Sequence, residues 1–245
     1  MREPQATSRG GPVRRIILCG IGALACLLVP AGEPLQAQIR GPAPARKGPD
    51  YGWWFSGGAN AVYVSDIHDG ASNTVWKFGS DPLWQFRGTL EKALDEFTTI
   101  GITAGFGNID VYLSPLNADS ASVLPATCAT NCSAATDMWT VMGQFRSGGG
   151  RGFHTLFEAS GGGTSFRNFA VRSDASPIAG IPNSIDISGT IGAGFGYTLS
   201  HDLIVSVVQD IGMGFHSKTD LPDGTSRTWK MRNTRASLRF KFGGR

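Results

Sequence analysis

Residues 234–245 read TRASLRFKFGGR. Thr234, Ala236, Leu238, Phe240 and Phe242 fall on one side of an extended chain, and Arg235, Ser237, Arg239 and Lys241 on the other. Alternation with period two marks a β-strand, so this segment is a ribbon with one apolar and one cationic face. Which face turns inward depends on the solvent outside. In water the apolar face would point to a core, and the outer face should be charged throughout. In a bilayer the apolar face would meet lipid, and the arginines would turn to an interior.

The same pattern recurs along the chain. Seven further segments alternate: 51–64, 83–94, 98–113, 138–146, 152–160, 185–199 and 202–216. Their polar sides are mostly Gly, Ser, Thr and Asn, with a few charges of both signs: Arg87, Glu91, Glu158 and Asp210. An Arg on the lipid face of a barrel near the bilayer midplane costs about 2–4 kcal/mol. Two on one strand would approach the whole stability of a small domain, about 5–15 kcal/mol. Arg235 and Arg239 therefore turn inward, where they can meet those acids, and small neighbours leave room for them. Asp210 and Arg235 lie on consecutive segments and are expected to stand opposite each other. The parity of the third segment slips near Gly107–Asn108, as a bulge would make it do. The fourth and fifth segments are the shortest.

Connections between these segments alternate in length. Three are short (DEF at 95–97, SGGGR at 147–151, SH at 200–201), and the others are long and polar. An even number of strands with short turns at one end and long loops at the other is the layout of an outer-membrane barrel. Aromatic residues gather at segment ends, Trp53, Trp84, Trp139, Tyr197 and Trp229 among them, as interfacial girdles do. A soluble sandwich or lipocalin-like barrel is the competing reading, and the weakly charged polar faces speak against it. The expected fold is thus all-β, an eight-stranded antiparallel up-and-down transmembrane barrel over 51–245.

What precedes it reads as an export leader and a linker. Arg14 and Arg15 stand before the apolar run 16–29, Pro30 and Gly32 break it, and Ala37 supplies a small residue before a cut. This is the three-part plan of a signal peptide over 1–37. Acylation of Cys26 is the lipoprotein alternative, but the residues after it are apolar. Residues 38–50 are rich in Pro, Gly and charge, and read as an extended periplasmic linker. Cys128 and Cys132 remain beyond the leader. In an exported chain they are expected to form a disulfide; free thiols or a metal pair are the other readings. The formal charge of +3 over 245 residues is too small to suggest a nucleic-acid partner.

With its signal peptide, GITAGFG at 101–107, GTIGAGFGYTL at 189–199 before a tight turn, and the closing RASLRFKF at 235–242, the chain resembles the small eight-stranded outer-membrane barrels of the OmpA/OmpX-like and OmpW-like group. The resemblance implies long surface loops, and often a lumen blocked by hydrogen-bonded charges. It also implies a closing strand whose last aromatic is read by the barrel assembly machinery. Phe242 carries that role here with Phe240, although three residues follow. It implies outer-membrane lipid and lipopolysaccharide as neighbours and a monomeric state. The surface ligand, if any, is unidentified.

Little in the sequence argues for catalysis. Ser217 directly follows His216, so the two point to opposite faces, and the His-x-Ser pattern of eight-stranded lipid A deacylases is not met. Asp66, His68 and Asp69 share a loop and are a weak metal candidate. The Gly-rich stretches do not lie between a strand and a helix, so no phosphate cradle is expected. No enzyme activity, cofactor or metal is expected. Two roles remain: a structural or surface-interaction barrel with a plugged lumen, or a narrow pore or conduit for hydrophobic solutes. The Gly-rich inner faces of 185–199 and 202–216 could leave space for the second. If Arg87, Glu91, Glu158, Asp210, Arg235 and Arg239 meet in one layer, the lumen is closed.

Overall fold

A computed structural model describes residues 51–117, 124 and 131–243. Among them there is no helix. The strands are β1 (Trp53–Val64), β2 (Ile67–Asp69), β3 (Thr74–Lys77), β4 (Leu83–Ala93), β5 (Thr98–Pro115), β6 (Cys132–Ser147), β7 (Phe153–Val171), β8 (Ser184–Ser200), β9 (Leu203–Phe215) and β10 (Thr228–Phe242). Eight of them, all but β2 and β3, pair antiparallel with their neighbours in chain order. The ring closes where β1 pairs with β10, from Trp53 opposite Phe242 to Val64 opposite Met231. Closure leaves the eight-stranded ring without a free edge, which a sheet in hydrocarbon requires. The short hairpin β2–β3 pairs with the upper part of β5 (Val75 opposite Ser114), beyond the stretch that β4 covers.

Period-two alternation sorts the side chains. Trp84, Phe86, Ile100, Ile102, Val141, Ile187 and Ile191 point out and are exposed, Phe86 and Ile187 to about three quarters of their surface (74% and 73%). Soluble monomers do not carry such a belt. The positions between them point in and are buried: Ser56, Asn60, Thr89, Thr103, Thr140, Ser206 and the charged residues. Phe106 and Trp139 are register partners with ring centroids 4.5 Å apart, and mark the upper edge of the belt. Phe153 and Phe195 stack at 5.2 Å near the short turns.

Two expectations about the strands are corrected. The segments at 138–146 and 152–160 are not the shortest strands. They are parts of β6, with 16 residues, and β7, with 19. No bulge lies at Gly107–Asn108; β5 alternates through it and stays in register with β6 from Thr98 to Leu113. The register shifts instead between Ala135 and Asp137 and between Thr198 and Ser200.

Both corrections have one cause. A tilted strand of ~9–11 residues crosses a bilayer, and β5 has 18. Its outward residues are Ile100, Ile102, Ala104 and Phe106, and then Asn108, Asp110 and Tyr112. Its inward residues are Thr99, Gly101, Thr103 and Gly105, and then Gly107, Ile109, Val111 and Leu113, the last three fully buried. Above Phe106 the wall leaves the lipid, and the two faces exchange chemistry while the geometry continues unchanged. β1 does the same at Val62 and Val64, β6 at Met138, and β10 at Trp229 and Met231 with Lys230 and Arg232 outside. The barrel is therefore built for oil around its lower part and for water around its upper part.

Candidate functional site

The lumen is occupied by two layers of side chains. The lower layer is charged. Arg146 Nε donates to Glu158 Oε1 at 2.8 Å, and its Nη1 lies 3.3 Å from Glu91 Oε1. Arg235 binds Glu158 Oε2 through Nη2, and its Nη1 is 3.6 Å from Asp210 Oδ2. Arg239 binds Glu91 from below, and the face of Trp54 covers its guanidinium at 4.2 Å. Arg87 has no direct ion pair in this set. Its Nε donates to Thr103 Oγ1 at 2.6 Å and its Nη2 to Gln144 Oε1 at 3.0 Å. Gln144 in turn donates to Glu158 at 3.3 Å. The structure thus brings the six expected residues together, from β4, β7, β9 and β10. Sequence reasoning missed Arg146 and the bridging role of Gln144. Arg146 shares the inward parity of Gln144 two residues before it, but it closes its segment beside the SGGGR turn and was passed over as a turn residue.

Asp210 is not directly opposite Arg235. Its register partner is Asn233, and Val208 faces Arg235. The contact is made along the diagonal, within the reach of a long side chain. Nor do the inner glycines of β8 and β9 leave a conduit. Two of them are filled by their register partners on the adjacent strand: a Cβ at Gly192 would collide with the Asp210 carboxylate, and one at Gly214 with the Trp229 indole.

The upper layer is a hydrophobic core of the soluble kind. Trp76 from the β2–β3 hairpin is fully buried at its centre. Its ring lies 4.7 Å from Phe169 and 5.7 Å from Phe166, and Phe166 lies 5.9 Å from Trp229. Val62, Val111, Leu113 and Met138 line the wall around them. A polar clasp locks the hairpin to the rim. His216 Nδ1 lies 2.9 Å from Asp186 Oδ1, and its Nε2 lies 3.3 Å from Asp69 Oδ1. Trp229 Nε1 donates to Asp186 Oδ2 at 2.8 Å, and Ser72 Oγ donates to Asp69. Burial disfavours the imidazolium of His216, but hydrogen bonds to Asp186 and then to Asp69 outweigh it and push its pKa up to about 9. The clasp had no sequence signal beyond three separate polar residues.

Between the layers, bounded by Arg87, Met138, Met142, Met231 and Asn233, the gap is about 10 Å³. One water needs at least that much.

The other expected residues lie elsewhere. Phe240 and Phe242 point outward at the short-turn end, opposite Phe55 and Trp53. Cys132 begins β6 and is buried, while Cys128, the leader and the linker lie outside the described residues. Asp69 is drawn into the clasp, while His68 is half-buried and Asp66 exposed. Among the described residues no cluster of three His, Cys, Asp or Glu side chains could hold a metal.

No protein-family model matches the chain, and no curated protein matches it. Solved structures do. Neisserial surface protein A is 10% identical with a TM-score of 0.47, over 80% of this chain and 100% of that one. The attachment invasion locus protein Ail of Yersinia pestis, solved with the heparin analogue sucrose octasulfate, is 11% identical with a TM-score of 0.41, over 78% and 99%. The outer-membrane protein OprG from Pseudomonas aeruginosa is 16% identical with a TM-score of 0.40, over 80% and 98%. At these identities the likeness is one of chain path alone. A closed ring of eight antiparallel strands, an exposed apolar belt and aromatic edges give this chain the architecture of a small eight-stranded transmembrane β-barrel.

Proposed function

We propose that the barrel does not conduct and serves as a rigid membrane-seated mount for its outer loops, in a structural or surface-interaction role. One observation carries this reading: the lumen is filled twice, by a charge network in the membrane and by a packed apolar core above it, with a gap of about 10 Å³ between. Eight strands leave an interior that side chains can just fill, and here they do. The upper core has no use in a pore. It stiffens a wall that stands clear of the bilayer and fixes the β2–β3 hairpin and the loops at 172–183 and 216–227 on top. The narrow-conduit alternative would need a continuous path past Trp76 and the arginines.

The same reading takes 1–37 as a cleaved leader, 38–50 as a linker, Phe240 and Phe242 as the assembly signal, and Cys128–Cys132 as a disulfide anchoring the loop before β6. Liposome swelling tests the closed lumen: vesicles carrying the folded barrel should swell in isotonic arabinose no faster than empty ones. Swelling at a porin-like rate would sink the proposal.

A further inference from the structure

The lower end of the lumen holds a feature that a mount for loops does not explain. Beneath the charge network a vestibule of about 740 Å³ opens between the short turns. Trp54, Phe97, Ile204 and Arg239 line it, and the Gly148–Gly152 turn forms one lip. Gly148, Gly150 and Gly152 have φ of 114°, 140° and 68°, a conformation that suits glycine, and so this lip projects no bulk into the mouth. The volume is that of a small-molecule pocket, ~300–1,000 Å³. It is a blind pocket, because Glu91, Arg146 and Glu158 close it above.

Arg239 is the roof of this pocket. It is 95% buried (5% exposed), and its Nε–H has no hydrogen-bond acceptor. Its Nη2 is engaged by Glu91 and, at 3.2 Å, by Thr99. A buried donor left unmatched is costly, most of all on a charged group. The charge count points the same way. Among the described residues the network holds Arg87, Arg146, Arg235 and Arg239 against Glu91, Glu158 and Asp210, so one positive charge is unbalanced. Arg239 is the one of the four that borders the vestibule. The charges at the rim are already engaged or face solvent. Asp95 accepts from the amides of Phe97 and Thr98 at 2.7 Å each, and exposed His201 lies 2.7 Å from Asp202. Glu96 and Arg151 are exposed and of opposite sign.

We propose that the vestibule binds a small organic monoanion from the side of the short turns, which is the periplasmic side, with one carboxylate oxygen accepting from Arg239 Nε–H and its apolar body against Trp54, Phe97 and Ile204. An organic anion fits better than an inorganic one, because these three side chains give the pocket an apolar wall. This site is separate from the loops and on the opposite side of the membrane.

Benzoate is the probe, with benzamide as its neutral isostere. The barrel folded in detergent is titrated at constant ionic strength, and the heat of binding is read by isothermal titration calorimetry. Benzoate should give a saturable heat and benzamide none. Arg239→Gln should remove the benzoate response. It also balances the network at three charges of each sign, so it should still fold, as its unboiled gel mobility will show. Thr198→Trp fills the mouth without touching the network and should remove the response as well. Equal responses to benzoate and benzamide would overturn the proposal, as would an undiminished benzoate response in both variants.

Discussion

At the level of single residues, the lumen shows which charges are held and which are spare. Glu158 is the hub: it accepts from Arg146, Arg235 and Gln144. Removing one member of a buried ion-pair set costs about 3–5 kcal/mol, because the partners stay buried without it. Glu158→Gln should therefore destabilise the barrel by about that much, and lower the temperature at which the compact gel band converts to the unfolded one. A shift within error of the wild type would mean that the network is ornamental. The inward direction of Arg235, Arg239, Glu158 and Asp210 was legible in the sequence, since the cost of charge in lipid leaves no other choice. Asp210 was legible as a partner of Arg235 and lies 3.6 Å from it, on the diagonal rather than directly opposite. The pairing of Arg239 with Glu91 and of Arg146 with Glu158 was not, because it depends on side-chain reach, which is not written in a period of two.

At the level of elements, the sequence showed eight alternating segments but began the fourth late and ended the fifth early. The physical reason lies in the upper wall. Once a strand clears the bilayer its apolar residues turn inward, and a reader who tracks grease on one face sees a slip at Gly107–Asn108 or a loop after Ser160. The run Gly161, Gly162 and Gly163, which lies within β7, added to the impression of a loop. The hairpin β2–β3 was not foreseen either, because its strands have only 3 and 4 residues. Its hold on the rim is titratable. The pKa of His216 rises from 6.5 to about 9 when the clasp forms. The stabilisation is thus complete below about pH 6.5 and is lost as pH rises through about 9, a change on the order of 3 kcal/mol. Protease cleavage in the hairpin should accelerate between those limits in the wild type. In His216→Gln the profile should be flat across the same range. A wild-type rate that stays flat would show that the clasp does not hold the hairpin.

At the level of the whole molecule, one chain solves two solvent problems in sequence along its axis. In the bilayer the belt faces lipid and the ions face each other. Above it the wall faces water and encloses Trp76, Phe166 and Trp229. The two interiors meet with almost no space between them, so the barrel behaves as a solid post. The most direct measurement is single-channel conductance of residues 38–245 in a planar bilayer, with insertion verified by the unboiled gel mobility of the same sample. The account predicts an inserted and silent barrel at all moderate voltages. Steady discrete openings would contradict it, and would place a water-filled path where the structure has arginine, glutamate and tryptophan.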